Sequence, residues 1–152
     1  MTVVKILALD LSTKSSGYCI FENGEVIDHG VIESHDNDFI VRCHYMAEFV
    51  RLLCEKHGKF NTVVIEELKV IHNQKTLVIL GILQGMVLRE LQTIPVEFIM
   101  PSVWRKTFGL NGKREESKKK AIELCEQLGY SVCNDDDAEA ILLGKHFIDK
   151  KE

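Results

Sequence analysis

Proline occurs only twice in these 152 residues, at positions 95 and 101, and tryptophan only once, at position 104. No tract rich in Pro, Gly or Ser divides the chain, and no segment repeats, so residues 1–152 are expected to form a single domain. The five cysteines (Cys19, Cys43, Cys54, Cys125 and Cys133) are odd in number and scattered. That spacing fits neither a zinc site nor a disulfide framework, and free thiols are expected. No apolar run approaches the roughly 20 residues that span a bilayer, and Lys5 breaks the opening apolar stretch where a signal peptide would continue. A cytoplasmic protein without membrane contact is expected. Excess positive charge is missing too: the formal net charge is −4, which argues against a generic nucleic-acid coat.

The basic residues that are present are unevenly placed. Seven of the nineteen Lys and Arg fall between Arg105 and Lys120, namely Arg105, Lys106, Lys113, Arg114, Lys118, Lys119 and Lys120. A local basic stripe on an acidic chain is either a solvated helix face or one face turned toward a polyanion.

Hydrophobic patterning gives the elements. Six of the seven residues from Val3 to Leu9 are apolar, which reads as a buried central strand ending at Asp10. Tyr18–Phe21 and Val26–Ile32 flank Asn23-Gly24, a strong hairpin signal because both central positions of a type I′ turn need positive φ. These three runs predict an antiparallel meander. Asp38 is placed to cap a helix from Phe39 to Lys56, stopped by Gly58. Thr62–Ile65 is a second buried strand, parallel to the first across that helix, and ends in Glu66 and Glu67. A helix over Asn73–Gln92 has apolar residues on more than one face. It is expected in the core or at a subunit seam, with Leu83 on an outward position. Val96–Met100 is a last short strand, Ser102 the expected cap of a short helix, and Glu116–Leu128 a helix bearing the basic stripe. Asp135, Asp136 and Asp137 open a final helix. The expected fold is therefore α/β: a five-stranded mixed sheet, three strands antiparallel and the rest parallel, flanked by helices.

Acids thus stand at the ends of two adjacent parallel strands, Asp10 and Glu66, and at the start of one helix, where open α/β sheets gather their chemistry. A single acid at a strand end or helix start is commonly a cap; three successive acids at one helix start repel each other unless solvated or neutralised. Carboxylate oxygens without His or Cys suit magnesium or manganese rather than zinc. Two such ions can serve phosphodiester hydrolysis. Glu67 is the weaker rival of Glu66, since neighbouring strand residues point to opposite faces.

These stretches resemble the RuvC Holliday junction resolvases of the RNase H-like superfamily. Asp10, Thr13, Ser16, Gly17 and Tyr18 follow the family's first motif, Asp-x-x-Ser-x-x-Thr-Gly-Tyr. Val64-Ile65-Glu66 is similar to the second, and Asp137-Ala138 with Ala140 resembles the last, Asp-x-x-Asp-Ala-x-Ala. The family acid three residues before the Asp-Ala pair falls on Asn134, so Asn134, Asp135 or Asp136 would complete the site. The resemblance implies an RNase H-like fold and a Mg²⁺-dependent endonuclease with two ions per site, Mn²⁺ substituting. It also implies a homodimer acting on four-way and other branched DNA. Asp10, Glu66, Asp136, Asp137 and Lys118 would be catalytic, and Asp10, Glu66, Asn134, Asp136 and Asp137 would hold the metal. Thr13, Ser16, Tyr18, Arg105, Lys106, Lys113, Arg114, Lys118 and Lys119 would meet DNA. The short, divergent chain resembles a bacteriophage version acting in the cytoplasm of a bacterial host. Three other readings stand beside it. A nuclease of the same fold with broader substrates (forks, flaps or RNA–DNA hybrids) shares every motif, and a non-catalytic DNA-structure binder would explain Asn134. Sugar kinases and actin-like ATPases share the first strand's Asp but need two domains to enclose ATP, so no nucleotide cofactor is expected.

Overall fold

A computed structural model describes residues 2–68 and 73–151. The first apolar run forms β1 (Lys5–Asp10), which pairs antiparallel with β2 (Ser15–Glu22) so that Asp10 lies opposite Gly17. β2 continues into β3 (Glu25–Glu33) through Asn23 and Gly24, whose φ angles of 51° and 84° are those of the expected tight turn. Helix α1 (Phe39–His57) starts where the Asp38 side chain accepts from the Ile40 amide. β4 (Thr62–Glu66) then lies parallel to β1, with Leu9 beside Ile65. Helix α2 (Gln74–Leu91) leads to β5 (Val96–Ile99), parallel to β4, and the chain closes with α3 (Pro101–Thr107), α4 (Arg114–Gln127) and α5 (Asp135–Lys151). The sheet order is β3-β2-β1-β4-β5. This is the mixed five-stranded sheet expected from the sequence.

Two cores form because strand side chains alternate. Leu7, Leu9, Val63 and Ile65 face α1 and α2, packing on Met46, Val50, Leu83 and Val87. Ile6, Ala8 and Val64 face the opposite side, against Trp104, Ala121, Ala138, Ile141 and Leu142. Continuing each strand's alternation by one step turns Asp10 and Glu66 toward the α5 side. Two glycines let α5 lie close on the sheet. A Cβ on Gly17 would collide with the Asp136 carbonyl oxygen, and one on Gly144 would strike the Phe21 ring.

Two expectations need correction. The short helix begins at Pro101 rather than behind a Ser102 cap: Met100 is the capping residue, and proline's missing N–H costs nothing in a first turn. Leu83 is not outward but wholly buried under the sheet, while Val78 (60% exposed) and Ile82 (36%) carry α2's outer apolar surface. Among the described residues no helix is long and apolar enough to cross a membrane, and the cysteines are free thiols.

Candidate metal centre and nucleic-acid interface

The parallel register of β1 and β4 ends at Leu9 and Ile65, so Asp10 and Glu66 leave neighbouring strand ends on the same side. Helix α5 crosses that edge with its first turn. Residues three apart share a helix face, so Asp136 and Glu139 point together. Ligand oxygens of Asp10, Asp136 and Glu139 all lie within 4.8 Å of one another. Glu66 adds its charge: it is the strongest of the neighbouring acids in raising the Asp10 carboxyl.

The electrostatics record this crowding. Burial, then Glu66, Glu139 and Asp136, push the Asp10 carboxyl well above the usual range. Glu139 is pushed up to about 7, chiefly by burial, with the Arg105 guanidinium working in the opposite direction. Asp136 is raised, again mainly by burial. A hydrogen bond joins Asp10 and Glu139, which requires a proton on one of them when no cation is present. Hard oxygen donors, crowded and short of positive charge, suit a divalent cation such as magnesium or manganese.

Helix α3 braces two of these acids. The Trp104 indole N–H donates to Glu66 Oε2 at 2.7 Å, and Arg105 Nη2 reaches Glu139 Oε1 at 3.0 Å. The guanidinium also lies over the Trp104 ring, 5.2 Å from its centroid. On the other wall, Lys118 Nζ is 3.7 Å from Asp135 Oδ2. A cleft of about 220 Å³ is lined here by Asp10, Glu66, Asp136, Glu139, Arg105, Arg114 and Lys118, with Trp104 buried behind it. Lys106, Lys113 and Lys119 are exposed and do not line it.

Several expected site residues are placed elsewhere. Asp137 does not join the acids. It is wholly buried, Oδ1 bonded to His29 Nδ1 at 2.8 Å and Oδ2 accepting the Cys133 amide at 2.9 Å. One residue along a helix is a rotation of about 100°, which turns Asp137 toward β3 instead of the cleft. Asn134 is a helix cap, its Oδ1 accepting the Asp137 amide at 3.1 Å. Ser16 is fully buried and closes the turn after β1, donating to the Ser12 carbonyl and accepting the Ser12 amide. Thr13 is buried as well, and the Tyr18 ring packs on Phe49. Thr13 and Ser16 are thus buried at the strand ends, and Tyr18 is half-buried. The sequence reading missed Glu139 and Trp104. The signal for Glu139 was present: Asp136, then Glu139 followed by Ala140, keeps the family's spacing of two acids three apart with alanine after the second.

The sheet order and flanking helices define the class: an RNase H-like fold in the form taken by the RuvC-type resolvases. RuvC of Thermus thermophilus in complex with a Holliday junction substrate superposes with a TM-score of 0.74 at 12% identity, covering 94% of this chain and 92% of that one. The yeast mitochondrial Holliday junction resolvase gives 0.62 at 14% identity, over 95% and 79% of the two chains. The fowlpox virus Holliday junction resolvase gives 0.60 at 15%, over 97% and 99%. No curated protein matches the sequence. The family model of the Lactococcus phage M3 protein matches residues 3–144, and the chain belongs to that family.

Proposed function

We propose that this protein is a divalent-metal-dependent endonuclease that nicks four-way and other branched DNA. The observation that carries the reading is the group formed by Asp10, Asp136 and Glu139 beside Glu66, at the sheet edge of a RuvC-type fold. Those four residues would hold Mg²⁺, or Mn²⁺ in its place. When bound, a pair of such ions supplies Lewis-acid activation of water and charge stabilisation at the leaving oxygen.

The chain's own residues set the rest. Arg105, Arg114 and Lys118 line the cleft and would meet the phosphate, while exposed Lys106, Lys113 and Lys119 extend positive charge along the flanking backbone. Arg105 and Lys118 also sit against acids, at Glu139 and Asp135, so local attraction and phosphate attraction compete for the same cations. Asp137 and Asn134, in this reading, hold the first turn of α5 in place rather than contacting the ion.

Nicking two strands of one junction calls for two sites at a fixed separation, and a homodimer supplies them. The outer side of α2 supports that assembly: Val78 and Ile82 are exposed, and a Cβ added at Gly81 or Gly85 would meet no other group within 4 Å. An exposed apolar patch of this kind would suit a two-fold interface.

The deciding experiment incubates labelled junction, fork, duplex and RNA–DNA hybrid with the protein, with and without Mg²⁺. Nicking of branched DNA only when metal is present is the expected result. Tight junction binding without nicking in either Mg²⁺ or Mn²⁺ would make it a structure-specific binder instead. Equal cutting of hybrid and junction would make it a general nuclease of this fold.

A further inference from the structure

Trp104 is the chain's only tryptophan, and it sits in an unusual place for one. Its side chain is wholly buried in the core between α5 and the sheet. A buried indole N–H requires an acceptor. Trp104 finds it in a charged group of the candidate metal centre, Glu66 Oε2, at 2.7 Å. The ring cannot drift, because its body is fixed among core side chains and Arg105, itself tied to Glu139, covers it. Glu66 also sits at the end of a strand whose preceding residues are buried. Its carboxylate is therefore anchored by the backbone at one end and by a rigid donor at the other.

We infer that Trp104 is a positioning residue for the metal centre, fixing the plane of the Glu66 carboxylate toward Asp10, and that its indole senses metal occupancy. This rests on the metal-binding reading of the cleft. Outer donors of this type orient a ligand before the cation arrives, and their loss commonly weakens metal affinity 10–100-fold. Because the donor is the sole indole, its emission reports on the group it bonds. When a cation draws charge from Glu66, the field along the Trp104 N–H bond changes and the emission shifts.

The test uses the full-length protein without DNA. Mg²⁺ is titrated while tryptophan emission is followed, and Mg²⁺ and Mn²⁺ binding is measured in parallel by calorimetry. A saturable emission change is expected, with the half-saturation found by calorimetry, and it should vanish in Asp10→Asn. Trp104→Phe keeps an aromatic ring but lacks the donor, and should need about ten times more Mn²⁺ for half-saturation. A general loss of packing would lower its Tm without moving metal affinity measured well below that Tm. Metal binding to the wild type with no emission change would overturn the inference, as would wild-type Mn²⁺ affinity in Trp104→Phe. If Trp104→Phe fails to fold, the wild-type emission titration alone decides. Failure of the wild type to bind either ion would instead remove the metal-centre reading itself.

Discussion

Asp136 and Asp137 are chain neighbours with opposite surroundings. Asp136 shares a half-buried edge with Asp10 and Glu139, and burial among them raises its carboxyl. Asp137 is wholly enclosed, yet it has a donor for each oxygen: the His29 ring on one and the Cys133 amide on the other. One carboxylate is only partly offset, by Ser15 and Lys118, and the other is fully compensated. The first arrangement costs stability and leaves room for a cation; the second stabilises the start of α5 and leaves none. Burial alone does not select the acid for a metal site in the proposed reading, since the more buried of the two already has a donor on each oxygen. What marks it is crowding with other acids at an opening to solvent.

The largest effects should separate the two sides of this contrast. Asp10→Asn, Asp136→Asn or Glu139→Gln should reduce nicking by more than about 100-fold, beyond the range typical of outer-shell partners. Junction affinity should be kept or improved, because repulsion of phosphate falls. Thermal stability without metal should hold or rise for Asp10→Asn and Asp136→Asn, which relieve repulsion among the acids, and should gain least in Glu139→Gln, which leaves Arg105 without its ion pair. Asp137→Asn should do the reverse. Hydrogen bonds to a charged group are worth about 1.5–3 kcal/mol, so its Tm should fall by several degrees. Its nicking per folded molecule, measured well below that Tm, should stay within about ten-fold of wild type. Abolished nicking in a fully folded Asp137→Asn protein would return Asp137 to the metal centre.

Next in size is the pH response, where the sign follows from Glu139. Its carboxyl rises from 4.5 in an unstructured chain to about 7 in the metal-free fold. The folded state therefore holds a proton that the unfolded state has released. The matching stability is fully present below about pH 4.5 and is lost as pH rises through about 7. Metal-free protein should lose Tm on the order of 5 °C across that window, and saturating Mn²⁺ at pH 7.5 should restore it. Mn²⁺ binding near pH 6 should also release protons, visible as a buffer-dependent heat in calorimetry. A metal-free Tm that rises steadily from pH 5 to 7.5 would mean that the acids are compensated by groups within the chain.

The sequence carried the frame of this site well and its phase poorly. The apolar runs ending at Asp10 and Glu66, the Asn23-Gly24 hairpin and the Asp38 cap are local signals, and each lies where its chemistry places it. The β1–β4 pairing was legible because a full helix separates two parallel strands. Three successive acids, however, give a helix start without its rotation. Choosing between Asp136 and Asp137 needs the face on which α5 meets the sheet, and that is fixed by Gly17 and Gly144 more than 100 residues apart in sequence. The same limit misplaced Leu83 on a helix apolar on several sides. Trp104 stands out in the sequence only as the lone tryptophan, because nothing local ties a short helix to the acids. Its ring is core, and only its N–H reaches the acids.

The smallest expected effect concerns the cations around the cleft, where the contrast becomes one between paired and exposed charge. Lys118 is half-buried and 3.7 Å from Asp135, whereas Lys119 is exposed beside it on the same helix. Each phosphate contact releases counterions, so losing one lowers the slope of log K against log salt by about 0.9 on duplex DNA. Lys119→Ala should show that change and weaken all branched DNAs alike, without altering the nicking rate at saturating DNA. Lys118→Ala should show a smaller change in slope, because Asp135 already shares its charge and is left unpaired when it goes. Its effect should appear instead in the rate at saturating DNA, since Lys118 lines the cleft with the acids while Lys119 does not. Measuring junction affinity at four or five salt concentrations, with single-turnover rates for both variants, gives the two quantities separately. Equal slopes for wild type and both variants would reduce the basic stripe to a solvated helix face.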